Sequence, residues 1–215
     1  MESKVHTYDG EKITITYDVR RCLHVGECVR GLRAVFDPDR KPWVDPDAAD
    51  PDAIAEVVAR CPTGALHVRR KDGGAAEPVP SDNVVRLAPD GPLYVRGEVE
   101  IVTPDGTLLL KDTRVALCRC GRSANKPLCD NSHEGHFSDS GRLGTGGVKE
   151  GEARGALKIT PARNGPLLLE GPFLIVDAEG REHRTGARAA LCRCGASKNK
   201  PFCDGSHREI GFTDE

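Results

Sequence analysis

Hydrophobic residues fall in short runs separated by turn signals, a pattern that predicts small strands and few helices. KITITY (12–17) alternates apolar and polar side chains and predicts a strand. ECVRGLRAVF (27–36) predicts a short helix. DPDAIAEVVARC (50–61) predicts a second one, with Asp50 or Asp52 placed to cap it and Ala53, Ile54, Val57 and Val58 along one side. ALHVRR (65–70) reads as another strand. Further on, LYVRGEVEIV breaks at Pro104-Asp105-Gly106 and resumes at TLLL, and LLLEGPFLIV breaks at Asp177-Ala178-Glu179-Gly180. KDGGAAEPVPSD (71–82) and SDSGRLGTGGVKEGEARG (138–155) are rich in Gly and charge and read as linkers or long exposed loops. The expected class is α+β and loop-rich, in three modules: 1–70, 82–140 and 155–215.

The last two modules are copies. VALCRCGRSANKPLCDNSH (115–133) and AALCRCGASKNKPFCDGSH (189–207) align without a gap at an offset of 74 residues. The similarity continues upstream, where NGPLLLEGPFLIVDAEGRE (164–182) matches DGPLYVRGEVEIVTPDGTL (90–108). Each copy predicts two or three strands followed by a loop that holds Cys and His.

Composition narrows the picture. Only 4% of the 215 residues are aromatic, against 24 glycines and 15 prolines. Small units held by something besides hydrophobic burial are therefore expected. A net charge of −2 gives no field that would draw nucleic acid or an anionic membrane. The opening MESKVHTYDGEK lacks the apolar run of a secretory signal, and no stretch approaches the roughly 18 apolar residues that span a bilayer. The expected location is the cytoplasm, where structural disulfides are disfavoured. Yet the chain has nine cysteines, and they fall into three groups of three: Cys22, Cys28, Cys61; Cys118, Cys120, Cys129; Cys192, Cys194, Cys203. Such grouping points to metal.

Each copy adds a histidine, giving the donor sets Cys118, Cys120, Cys129, His133 and Cys192, Cys194, Cys203, His207. Three thiols and an imidazole suit a soft metal ion or an iron–sulfur cluster, and a closed Cys3His zinc site is the alternative. Gly121 and Gly195 permit a tight turn after Cys-x-Cys, and Pro127 and Pro201 stiffen the approach to the third cysteine. Asp130 and Asp204, or Ser132 and Ser206, are placed to cap a short helix whose N–H groups would face cluster sulfur.

These loops resemble the CDGSH iron–sulfur (mitoNEET) family, whose signature is Cys-x-Cys-x-x-Ser-x-x-x-Pro-x-Cys-Asp-Gly-Ser-His. The second copy matches every fixed position, and the first departs once, with Asn131 for Gly, a residue that tolerates positive φ. The resemblance implies one [2Fe–2S] cluster per motif. Cys118 and Cys120, and Cys192 and Cys194, would hold the inner irons; Cys129 with His133, and Cys203 with His207, would hold the outer ones. Many relatives are homodimers with a shared β cap, so the resemblance implies a monomer in which two copies form an intrachain pseudo-two-fold version of that dimer. It also implies a potential raised by the imidazole ligand and a centre loosened by acid.

The N-terminal module places Cys22-Leu-His-Val-Gly-Glu-Cys28 ahead of Cys61-Pro62, which resembles half of a bacterial-type ferredoxin with Val25 where a central cysteine usually stands. Two outcomes are open: a [3Fe–4S] cluster on three thiolates, or a [4Fe–4S] cluster whose fourth iron takes His24 or solvent. Trp43 is expected to pack over it. The plain alternative is three ordinary buried cysteines in a small α+β domain.

His67 is expected to be packed or at the surface, His6 and His183 exposed, and His136 solvated near the first loop. Arg119, Arg193, Lys126 and Lys200 flank ligands, where they either offset cluster charge or are merely solvated. No phosphate cradle, Ser–His–Asp arrangement or catalytic carboxylate pair is present, so no enzyme is expected. The functions expected are electron transfer to or from a redox partner protein, cluster storage, transfer to an apo-acceptor or redox sensing, or a zinc-stabilised interaction module.

Overall fold

The computed structural model describes residues 4–151 and 155–214, so part of the second predicted linker, 152–154, lies outside the described residues. The chain divides into two compact units, Met1–Pro78 and Val79–Glu215. Both Cys/His loops belong to the second. Strands dominate, and the α-helices are few and short. Among the described residues no helix is long and apolar enough to cross a membrane.

In the first unit β1 (Val5–Asp9), β2 (Ile13–Asp18) and β3 (Leu66–Arg70) form an antiparallel sheet in the order β1-β2-β3. Between β2 and β3 run α1 (Glu27–Gly31) and α2 (Pro51–Ala59). α2 begins where the Asp50 carboxylate accepts the Asp52 N–H at 2.9 Å, with Pro51 at the first helical position, where its missing N–H costs nothing. Ile54, Val57 and Val58 then point at Ile13, Ile15 and Leu66 of the sheet. α1 stops at Gly31, short of the predicted 27–36, because the chain turns out of the helix at Leu32 so that Phe36 can bridge to Val44 in the core. Trp43 stacks edge-on against Tyr17 at 5.0 Å and packs near Phe36.

The second unit holds β4 (Val84–Leu87), β5 (Leu93–Val102), β6 (Leu108–Leu117), β7 (Val148–Lys149), β8 (Leu157–Pro161), β9 (Leu167–Val176), β10 (His183–Leu191) and α3 (Ser206–Glu209). Each copy supplies a hairpin, β5–β6 or β9–β10, and each contributes a short strand that crosses to the other. β4 pairs antiparallel with β5 and parallel with β9; β8 pairs antiparallel with β9 and parallel with β5. The pairings run in step: Val84 stands opposite Leu174, and 74 residues along, Lys158 stands opposite Glu100. Gly97 and Gly171 sit midway along the long strands, where a Cβ would lie 2.7 Å from the Asn83 Cα and 2.5 Å from the Ala156 carbonyl oxygen. The bare backbone there lets the crossing strands come close. Val85, Ile101, Leu117, Ile159, Ile175 and Leu191 are wholly buried in the shared core.

The predicted loop over 138–155 is partly anchored. Leu143 and Val148 pack on the core, β7 pairs with β10, and the Thr145 N–H donates to the Asn199 side chain at 2.8 Å.

Candidate metal centres

Each Cys/His loop opens directly off a buried strand end. Leu117 closes β6 and bridges to Leu128; Leu191 closes β10 and bridges to Phe202. Reciprocal backbone bonds clamp the loop: Cys118 N–H to the Pro127 carbonyl at 2.9 Å and Cys129 N–H to that of Ala116 at 2.9 Å, repeated by Cys192 to Pro201 at 2.7 Å and Cys203 to Ala190 at 2.9 Å. Ser123 and Ser197 are buried and donate to the Leu128 and Phe202 carbonyls, each at 2.6 Å. The structure therefore fixes the first and third cysteines on rigid strand backbone.

The aspartates play a different part from the predicted one. Asp130 accepts the N–H groups of Ala124 at 2.8 Å and Ser132 at 3.0 Å, and Asp204 accepts those of Lys198 and Ser206 at the same distances. They pin the loop to itself. α3 starts at Gly205 without a side-chain cap, and the first copy forms turns in its place. The Ser206 and backbone hydrogen bonds hold the Asp204 carboxyl well below the usual carboxylate range. Asn131 adopts φ 70, close to the φ 94 of its counterpart Gly205, so the departure from Gly is accommodated.

Donor atoms come in pairs. Cys118 and Cys120 have their sulfurs 3.7 Å apart, as do Cys192 and Cys194. The Cys129 sulfur lies 3.3 Å from His133 Nδ1, and the Cys203 sulfur 3.4 Å from His207 Nδ1. Among the described residues no three Cys, His, Asp or Glu side chains converge as one bound ion requires. Backbone amides of Gly121 and Ser123 bond the Cys118 sulfur, and those of Gly195 and Ser197 bond that of Cys192, a cradle suited to anionic sulfur. The Cys120 thiol donates to Cys118 and draws its pKa down to about 6, while the Cys120 thiol itself is pushed up by that bond and by burial. Burial pushes Cys129 up to about 11 and raises Cys192 and Cys203. Loading metal on these groups releases protons.

The two loops meet back to back. A Cβ on Gly121 would lie 2.7 Å from the Cys194 carbonyl oxygen, and one on Gly195 would lie 2.8 Å from that of Cys120. Both glycines also hold positive φ, 83° and 84°.

Arg119 and Arg193 turn away from the ligands, and each is only 2% exposed. Arg119 donates to the carbonyls of Gly91 (2.7 Å) and Ala88 and pairs with Asp139 at 2.5 Å. Arg193 does the same to Gly165 at 3.0 Å, Ala162 at 2.6 Å and Asp214 at 2.8 Å. Each guanidinium also covers an aromatic ring downstream of the His, Phe137 at 5.0 Å or Phe212 at 5.4 Å. They position the segment that carries each imidazole. Sequence reasoning missed this role, although the invariant Cys-Arg-Cys of both copies and the later Asp were visible. Lys200 donates to the Ser197 carbonyl at 2.6 Å.

In the first unit Cys22, Cys28 and Cys61 line one pocket together with Tyr17, Trp43 and Pro62. His24 lines it too, exposed and at φ 52, and Val25 is half-buried beside it. Burial, and then the charges of Cys61 and Cys22, raise the Cys28 thiol. Burial and a hydrogen bond with the Cys22 thiol raise the Tyr17 hydroxyl. Three thiols lining one pocket are the donor type that a metal–sulfide group takes. His67 is half-buried and pairs with Glu77 at 2.7 Å, while His6, His136 and His183 are exposed.

A family model described as iron-binding zinc finger CDGSH type matches residues 90–134 and 164–208. A second, described as divergent 4Fe-4S mono-cluster, matches residues 8–71. The chain thus combines two CDGSH-type iron-binding domains with a divergent 4Fe-4S mono-cluster domain. Its CDGSH domains are the two copies of the second unit, and its N-terminal unit is a divergent 4Fe-4S mono-cluster domain. The uncharacterized protein YjdI of Escherichia coli K12 and that of strain O157:H7 are each 44% identical over 64 residues, which is 30% of this chain and 84% of theirs. No solved structure matches the chain.

Proposed function

We propose that the chain is an iron–sulfur electron carrier, with a [2Fe–2S] centre in each CDGSH loop and a [3Fe–4S] or [4Fe–4S] centre in the N-terminal unit. What supports this most directly is the pairing of donors. A single zinc ion needs four donors about one point. Each of two bridged irons needs only two protein donors, which the close pairs Cys118/Cys120 and Cys129/His133, and Cys192/Cys194 and Cys203/His207, can supply in loops that match an iron-binding family model. In the N-terminal unit Cys22, Cys28 and Cys61 are the ligands, with His24 in the same pocket as the candidate fourth. Such centres supply one-electron redox chemistry when bound. The chain's own residues do the rest. Loop amides stabilise anionic sulfur, the buried serines and arginines hold the ligands in place, and the imidazoles stand at the outer side, half-buried.

The crossing of β4 and β8 and the mutual approach of Gly121 and Gly195 support an intrachain pseudo-two-fold dimer with a shared β cap, and hence a monomer. A cytoplasmic carrier that meets a redox partner protein, without substrate chemistry of its own, suits nine cysteines grouped for metal.

Iron and acid-labile sulfide per chain, with EPR before and after reduction, test the reading. About eight irons are expected with a four-iron N-terminal centre and about seven with a three-iron one. About four would empty the N-terminal unit, and a zinc-loaded, iron-free chain would overturn the proposal. A second reading, cluster delivery to an apo-acceptor, is favoured by the partial exposure of His133 and His207. It requires that His207→Cys slow the loss of the visible chromophore to an apo-ferredoxin at pH 6.

A further inference from the structure

The two CDGSH loops share a backbone geometry but not a charge. Most charges recur in pairs: Arg119 with Arg193, Asp130 with Asp204, and Asp139 with Asp214 on the same guanidinium contacts. Lys126 and Lys200 also match, and Lys200, 5.9 Å from the Phe137 ring, bears on both sites.

What is left does not cancel. The first site keeps Asp90 and Glu134 against Arg122. The second keeps Lys198 and Arg208 against Glu209. Asn164 occupies the place of Asp90: each bonds the segment after its histidine, Asp90 accepting from Asp139 N–H at 2.7 Å and Asn164 accepting from Asp214 N–H at 3.1 Å. The replacement thus keeps the bond and drops the charge. At the first site Asp90, His133, Glu134 and His136 line one open depression, so the acidic groups stand beside the imidazole. At the second, Arg208 directly follows His207 in the place that Glu134 takes after His133.

We propose that the two CDGSH centres have unequal affinity for an electron, and that the second, on Cys192, Cys194, Cys203 and His207, is reduced first because its loop carries Lys198 and Arg208 where Glu134 and Asp90 stand beside His133 of the first. The inference rests on the iron–sulfur reading of both loops. Reduction adds one negative charge to a centre and makes or breaks no bond. Nearby cations favour that charge and nearby carboxylates oppose it, and this is how the surroundings set such potentials. Glu134, Arg208 and Lys198 are exposed, so salt should weaken the difference without abolishing it.

The test is a redox titration of the full chain with dithionite as electron donor, followed by EPR and visible absorption. Two separate one-electron steps are expected from the CDGSH centres. Arg208→Glu should lower the upper step and Glu134→Arg should raise the lower one, and added salt should narrow the gap. The step of the N-terminal centre should stay in place in both variants. The milder Arg208→Gln and Glu134→Gln should act in the same directions by less, should either reversal impair folding. Coincident steps in the parent chain, charge variants that move neither step, or Arg208→Glu acting on the lower step would each overturn the inference while leaving the iron–sulfur reading intact. A chain without iron in the second unit would overturn both.

Discussion

Ser197 shows how much of each site rests on one atom. Its buried hydroxyl donates to the Phe202 carbonyl at 2.6 Å and accepts the Asn199 N–H at 3.1 Å. Ser197→Ala leaves both backbone groups without that partner, at a cost of about 1–3 kcal/mol. It should lower the thermal midpoint and, by loosening the span between Cys194 and Cys203, the iron retained on dilution. Asp214 gives a pH-dependent counterpart. Burial, the largest single influence, raises its pKa, but the Arg193 bond, the Asn164 N–H and the Arg193 charge together outweigh it and leave the carboxyl below its ordinary value. A depressed acid adds stability that is present above its unfolded pKa and lost as pH falls through the folded one. Asp214→Asn should therefore lower the melting temperature at pH 7, and the difference from the parent should close as pH drops below about 4. A gap that persists in acid would mean that shape, not charge, holds Arg193. At this scale the sequence was legible where chemistry is written in the residue type. The nine cysteines and the two ligand-spaced histidines could be read directly. The arginines could not, because a solvated and a buried guanidinium look alike until the Gly91 and Gly165 carbonyls are placed beside them.

Elements were legible where a local rule decided them. α2 carries its own cap, its N-terminal proline and its apolar side, and it forms close to where they place it. β1 went unseen because VHTYD is mostly exposed and gains its structure by pairing with β2. The helix expected through Phe36 ends early because burying that ring takes precedence over helix propensity. Strand partners were the least legible: β4 and β8 lie outside the runs that read as strands, and nothing in their own residues says which copy they join. The loop element gives a further prediction. Gly195→Ala puts a methyl against the Cys120 carbonyl and forces a non-glycine residue to positive φ, which costs about 1–2 kcal/mol for the backbone alone. Because the obstacle belongs to the other copy, iron content should fall at both CDGSH loops and not only at the mutated one. Loss confined to the second loop would show that the first yields freely.

Across the whole molecule the two units stand on unequal cores. The first has nine buried residues in its apolar cluster and the second has 18. A core that small leans on what its thiols bind. Chelation of iron should therefore expose residues 1–78 to protease before residues 79–215, as read by the order of cleavage products. Simultaneous digestion of both would contradict it. In the second unit the crossed strands have a wider consequence. Since β4 and β8 each bond to both hairpins, neither copy has a complete sheet of its own. A chain severed in the connector between them should still hold as two interlocked pieces, whereas either piece made alone should fail to fold. The duplicated halves thus share one fate, and damage to the frame of one iron-binding loop is inherited by its twin.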